Sequence, residues 1–277
     1  MIEIKNINEN ELDLTVWRYL PLAKLVSLLT YQSLWFCKLN VLQDQYEGKI
    51  PLQVKAKMHE ENQSWKRAFT EPELHEQIDN WPNQNEEDGR ELLVVNCWFL
   101  GEKESAEMWR DYVGSREGVA IKSTVRKLMN AVYMHPEVSC IGKVCYTEHD
   151  NHEMSLYEAH QAHERALIKD KPFCYEQEIR LITMNFKTSA CVSKHGEPFL
   201  PEQVAGKHMN NFENPGLYIG VNLNQLLKGV VVAPHAEEWF ELLVKRIMHL
   251  TTIPVTVTRS ELEDVQPGTG SAKPHSA

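Results

Sequence analysis

Apolar positions along the chain repeat with period two in some stretches and with helical spacing in others, and the alternation predicts a succession of short strands and helices. "LTVWRYLP" is rich in β-branched and aromatic residues, is stopped by Pro21, and predicts a strand. Leu22, Leu25, Val26 and Leu29 follow at helical spacing in "LAKLVSLLTYQS". "SLWFCKL" predicts a second strand, and the polar loop "NVLQDQYEGKIP" comes after it. From about His59 to Glu91 the chain is polar with helical pieces and little apolar periodicity, as expected of a surface excursion or a lid over the core. "LLVVNCWFL" is the strongest buried strand, "SAEMWRDYVG" a helix that the Ser105 hydroxyl can cap, "EGVAIKS" a strand and "STVRKLMNAVY" a helix. "SCIGKVCY" is a strand, and about Ser155 to Lys169 a helix ending before Pro172.

"KPFCYEQEIRLI" reads as a further strand, and "HGEPFLPEQVAGKHMNNFENPG", rich in Asn, Gly and Pro, carries no assignment. The pattern closes with strand "GVVVAP", helix "AEEWFELLVKRIMHL", strand "IPVTVTR" and a tail "PGTGSAKPHSA" of disordered composition. These elements predict a mixed α/β (α+β) fold: a single domain over residues 1–265, with a central mixed sheet flanked by helices and a polar helical excursion at about 55–91.

Composition narrows the classes. The 277 residues carry 29 basic and 39 acidic side chains, a net charge of −10, which argues against a broad nucleic-acid-binding face. No apolar run approaches membrane-spanning length, and the acidic start "MIEIKNINENELDL" is unlike a signal peptide. The six cysteines include no C-x-x-C pair; Cys37, Cys97 and Cys174 lie in apolar or strand-like settings and read as small core residues. Reduced thiols and a cytoplasmic location are the expectation.

Within "KPFCYEQEIRLI", Glu176, Glu178 and Arg180 stand at every second position. On a strand they share one face, while Tyr175, Ile179 and Leu181 point the other way. Neighbouring carboxylates raise each other's proton affinity and a guanidinium lowers it, an arrangement suited to stabilising a developing cation on a sugar ring. A salt-bridged strand on the surface would look the same. In "WRYLP", Arg18 could hold a phosphate or carboxylate and Tyr19 could stack on a ring, or both could be core and surface residues. In "ESAEMWRDY", Trp109 and Tyr112 fall on one helical face; Ser105 has no histidine partner in the sequence that would make it a nucleophile. His160 and His163 share a predicted helix face with Leu156 and Leu167, but H-E-x-x-H is absent and no metal is expected there. Neither a Walker loop nor a strand-linked G-x-G-x-x-G occurs.

Taken in order, "WRYLPLAKLVSLLTYQSLWFCKLNVLQDQYEG", "VNCWFLGEKESAEMWRDYVGSREGVAI", "FCYEQEIRL" and "LLKGVVVAPHAEEW" closely resemble the bacterial family known as domain of unknown function 2971, over roughly Trp17 to Pro234. The family commonly has N-D-P-x-E after the second strand, where this chain reads Gln43-Asp44-Gln45-Tyr46-Glu47, so Asp44 and Glu47 keep their places. The R-Y start followed by a helix and the late E-x-E strand also resemble the layout of ADP-ribosyltransferases. That resemblance implies NAD as substrate, held by Arg18, with Tyr19 or Tyr112 stacking on the nicotinamide. Glu178 would bind the ribose and stabilise the oxocarbenium-like transition state, and Glu176 would activate an acceptor, which could be a macromolecule. Transfer of ADP-ribose or hydrolysis of NAD, in a toxin or phage-defence setting, is the activity so implied. Two alternatives stand beside it: a non-catalytic ligand- or protein-binding module, and a Mg²⁺-dependent nuclease built on Asp44, Glu47, Glu176 and Glu178.

Overall fold

The structure, a computed structural model, describes residues 2–132, 138–184, 215–251 and 253–262. In chain order, β1 (Glu3–Lys5) leads to β2 (Thr15–Pro21), α1 (Leu22–Tyr31) and β3 (Ser33–Lys38). The polar excursion forms α2 (Leu52–Lys66) and α3 (Pro72–Leu92), and returns into β4 (Leu93–Leu100). Then come α4 (Ala106–Tyr112), β5 (Gly118–Thr124), α5 (Val125–Val132), β6 (Val138–Lys143) and β7 (Cys145–Thr147). Next are α6 (Leu156–His160), α7 (Ala162–Arg165), β8 (Ile168–Asp170) and β9 (Glu178–Met184). The last elements are β10 (Gly216–Gly220), α8 (Leu223–Leu226), β11 (Gly229–Val232), α9 (Glu238–Leu250) and β12 (Val257–Arg259).

Ten of these strands form one mixed sheet, in the order β1–β6–β9–β4–β2–β5–β11–β12, with β3 joined to β4 and β10 to β3. β1 with β6 and β11 with β12 run parallel, and the remaining pairs are antiparallel. The parallel β11–α9–β12 crossover matches the closing strand–helix–strand pattern of the sequence. One detail shapes the rest of the molecule. β9 takes one edge of β4, and the other edge is divided between two partners. β2 pairs with it only at Val16–Leu100 and Trp17–Phe99, and β3 only at Cys37–Val95 and Lys38–Val94. The sheet therefore forks at Asn96, Cys97 and Trp98.

Alternation along the strands divides the core. Val16, Leu20, Leu25, Phe36, Trp98, Ile121, Leu181 and Phe240 make the main cluster on one face. Trp17, Tyr19, Phe99, Met108 and Trp109 make a smaller one under α4, and Leu39, Leu93, Val95, Leu167 and Ile182 a third. Val54 and Met58 of α2 pack with Ile50 and Ala159, which attaches the excursion although most of its surface is polar.

Several expectations need correction. The helix expected over about Ser155 to Lys169 breaks at Gln161, whose extended backbone separates α6 from α7, and Lys169 lies in β8 instead. The strand expected from Lys171 begins only at Glu178. Pro172 starts a 3₁₀ turn over Lys171–Glu176, and Gln177 ends it with a left-handed φ of 37°. Cys174 on that turn is consequently exposed rather than a core residue, whereas Cys37 is buried and Cys97 half-buried. Among the described residues no two cysteines are joined in a disulfide. Cys191, residues 195–214 of the Asn/Gly/Pro-rich segment and the expected disordered tail lie outside the described residues. Among the described residues no helix is long and apolar enough to cross a membrane.

Arg165 of α7, almost wholly buried, ties α3 to the Gly48 loop and to α6. Its guanidinium donates to the Gly48 carbonyl at 3.0 Å, to Asn85 Oδ1 at 2.9 Å and to the Asn85 carbonyl at 3.1 Å, and also to the Ala159 carbonyl. Replacing it with methionine orphans those acceptors, and Arg165→Met should lower stability in urea unfolding by about 3 kcal/mol. A loss below about 1 kcal/mol would show that apolar packing alone holds α3 and the loop before it.

Candidate functional site

Strand alternation places Glu178 and Arg180 on the same face of β9, opposite Phe99 and Cys97 of β4. Arg180 grips Glu47 with both terminal nitrogens, at 2.6 and 2.8 Å, and donates Nε–H to Glu178 Oε2 at 2.6 Å. Its Nη1 also donates to the Ala166 carbonyl at 2.7 Å. From β8, the Lys169 ammonium donates to Glu178 Oε1 at 2.7 Å and to Glu176 Oε2 at 2.5 Å, and lies 3.4 Å from Glu47. None of the five residues is more than 6% exposed. Charges taken this far from water cost several kcal/mol each unless paired and hydrogen-bonded, which is why the cluster closes on itself.

The titration behaviour follows from that closure. Burial alone would raise the Glu178 carboxyl, but Arg180 and Lys169 on either side outweigh it and hold it well below the usual carboxylate range. Glu176 has Lys169 as its cationic neighbour. Burial, together with the adjacent Glu178, pushes it up to about 7. One carboxyl of the pair thus stays ionised while the other keeps its proton toward neutrality.

Asp44 builds the loop that delivers Glu47. Its Oδ1 accepts the Tyr46 N–H at 2.8 Å and its Oδ2 the Asp170 N–H at 3.2 Å, so the carboxylate fastens the turn to β8. Gly48 follows at φ 73°, and its carbonyl is the one that Arg165 holds. Asp44 thus supports the loop from within, where Gln43 and Gln45 flank it.

At the fork, Arg18 spans the gap where ladder bonds are missing. Its guanidinium reaches the Cys97 carbonyl on β4 at 3.5 Å and the Trp35 carbonyl on β3 at 3.4 Å, and lies 5.9 Å from the centre of the Trp98 ring. Burial lowers its proton affinity to about 10. A cavity of about 30 Å³ beside it is lined by Arg18, Lys24, Cys97, Tyr112 and Glu178, among others. Arg18, Tyr112 and Glu178 therefore meet at one small cavity, although they come from β2, α4 and β9.

Other candidate residues lie in supporting positions. Tyr19 lines the cavity, but its hydroxyl accepts the Ser105 N–H at 2.8 Å and its ring stands edge-on to Trp109 at 5.0 Å. Ser105 caps α4, accepting from the Met108 N–H at 3.2 Å, as its position before the helix suggests. Trp109 donates its ring N–H to Glu104 at 2.8 Å. Glu47, Glu176 and Glu178 do converge, but on the Lys169 and Arg180 cations, while Asp44 accepts from backbone amides. Among the described residues no group of three or more His, Cys, Asp and Glu side chains is placed to hold a metal ion. His160 and His163 are parted by the break at Gln161, His160 against Trp81 and His163 near Glu3 and Glu164.

Lys169 and Lys24 escaped the sequence reading. The first sits in a stretch with helical composition, and the second on the polar side of an ordinary amphipathic helix.

A model of the family described as "Protein of unknown function (DUF2971)" matches residues 108–181. Over this segment the chain is similar to the DUF2971 family. The DUF2971 match runs from α4 into β9 and so includes Tyr112, Lys169, Glu176, Glu178 and Arg180, whereas Arg18, Lys24, Asp44 and Glu47 lie before it. It is narrower than the span from Trp17 to Pro234 over which the sequence resembles the family. No curated protein and no solved structure matches the chain.

Two outcomes test this geometry. Arg180→Met leaves buried Glu47 and Glu178 with Lys169 alone as their cation and should cost about 3–5 kcal/mol in urea unfolding; a change under about 1 kcal/mol contradicts the network. Glu176 binds its proton more tightly folded, at about 7, than at its ordinary 4.5. The stability gained is therefore complete below about pH 4.5 and lost as pH rises through about 7. Glu176→Gln, which cannot titrate, should flatten that part of the stability profile; parallel profiles for the two proteins would contradict the assignment.

Proposed function

We propose that the cavity at the sheet fork is the reactive end of a nucleotide site, and that the protein breaks the N-glycosidic bond of NAD or a related nucleotide. The observation that supports this best is the meeting of Arg18, Tyr112 and an ionised Glu178 at one cavity. Arg18 would hold a phosphate, Tyr112 would lie against the departing ring, and Glu178 would face the ribose as positive charge develops on it. The bond from ribose C1′ to the ring nitrogen breaks, and its electron pair leaves with nicotinamide. Water or a macromolecular nucleophile bonds to C1′ and gives up its proton. Glu176, joined to Glu178 through the Lys169 ammonium, is the group that titrates near neutrality and would take that proton. A volume of about 30 Å³ accommodates a water molecule, so ring binding requires the lining side chains to move apart.

A non-catalytic binding module is the second reading, and the closed ion network favours it. Each carboxylate of Glu47 and Glu178 already meets a cation, as a purely structural cluster would.

Glu178→Gln decides between them, with nicotinamide release measured well below the unfolding midpoint of each protein. Loss of one electrostatic stabiliser should lower turnover by about 10²–10³-fold while NAD still binds. Wild-type protein that binds NAD and releases no nicotinamide would leave the binding module standing and remove the glycosidic chemistry.

A further inference from the structure

On the other side of Arg18 and Lys24 lies a larger cavity of about 210 Å³, whose lining includes those two cations with Ser27, Ser33, Trp35 and Tyr218. It occupies the opening between β2 and β3 that the divided edge of β4 creates. Among the described residues no acidic side chain lines it. Two like charges facing one half-enclosed space repel each other, and an anion between them relieves both that repulsion and their lost hydration. Lys24 registers the strain: burial first, and the Arg18 charge second, bring its ammonium down to about 8. The opposite wall is aromatic. Tyr218 stands edge-on to Trp35 at 4.8 Å and to Tyr31 at 5.6 Å, and its hydroxyl lies 3.4 Å from Ser27 Oγ. Both Trp35 and Tyr218 are only half-buried, so ring area remains for a ligand.

We infer that this cavity is a subsite for a nucleoside diphosphate unit, its phosphates between Arg18 and Lys24 and its base against Trp35 and Tyr218. The inference rests on the nucleotide reading above and adds to it the half of the ligand remote from the reacting bond. Sharing of the two cations orients the ligand: the phosphates sit at the junction of the cavities, the base in the larger and the reacting ribose toward Glu178. Lys24 is a positioning residue in this arrangement, and Tyr218 sets the preference for an aromatic base.

Isothermal titration with three probes, ADP, inorganic pyrophosphate and adenosine, tests the subsite on wild type, Lys24→Met and Tyr218→Leu. ADP should bind wild type most tightly. Lys24→Met should weaken ADP and pyrophosphate by about tenfold or more and leave adenosine unchanged, whereas Tyr218→Leu should weaken ADP and adenosine and spare pyrophosphate. Circular dichroism melts of both variants confirm that each remains folded, and Lys24→Arg should recover most of the ADP affinity. ADP that fails to bind wild type, or binds both variants as it binds wild type, overturns the subsite even if NAD is turned over. ADP binding with the stated variant pattern, but without nicotinamide release from NAD, overturns the glycosidic chemistry and leaves the subsite in place.

Discussion

Five buried charges in van der Waals contact organise this molecule: Glu47, Lys169, Glu176, Glu178 and Arg180, drawn from a loop, a two-stranded ribbon, a 3₁₀ turn and the central sheet. Hydrophobic burial explains the strands and the helices over them, but it does not explain why four polar segments converge at one point. Desolvated charges do, because each is destabilising until its partners arrive, and Glu47 lies more than a hundred residues before its partners Lys169 and Arg180. Asp44 and Arg165 serve the same end, one fastening the Glu47 loop to β8 and the other fastening the following glycine to the excursion helices. The cluster is a structural joint and a source of field at once. It fixes Glu178 in its ionised form at the edge of a cavity.

The second constraint is the fork in the sheet. A strand has two edges, and β4 gives one of them partly to β2 and partly to β3, so three of its residues lack a ladder partner on that side. Arg18 bridges the opening from β2 by donating to carbonyls of β4 and β3, and Asn96 of β4 donates its amide to the Trp35 carbonyl on β3 at 2.7 Å. The gap leaves cavities on either side of one guanidinium. The opening so kept is lined by Arg18 and Lys24.

Much of this was legible in the residues themselves. β2, α1, β3, β4, α4, β5 and the closing β11–α9–β12 unit announced themselves through apolar periodicity, Pro21 and the Ser105 cap, because local pattern and tertiary packing agree there. The alternation of Glu178 and Arg180 correctly gave a shared face, but not its burial. Surface and interior charges look alike in one dimension, and what distinguishes them is Glu47, 133 residues before Arg180. Lys169 was hidden because "HQAHERALIKD" has the composition of a helix, and only the break at Gln161 turns it into β8. Glu176 seemed to belong to the strand, yet Pro172 and the left-handed Gln177 make its segment a turn that still brings the carboxyl to Lys169. Tyr19 lines the cavity and also packs edge-on to Trp109 at 5.0 Å, a contact between β2 and α4 that aromatic spacing along the chain does not show.

The split between the two neighbouring carboxyls is the most direct consequence of the buried cluster, and side-chain ¹³C NMR of selectively labelled glutamate measures it without any ligand. With Glu176→Gln and Glu178→Gln used to assign the signals, Glu176 should titrate at about 7 and Glu178 should stay ionised to well below the ordinary 4.5. Two resonances that both titrate at the ordinary value would mean that water reaches the cluster and that no held carboxylate faces the cavity.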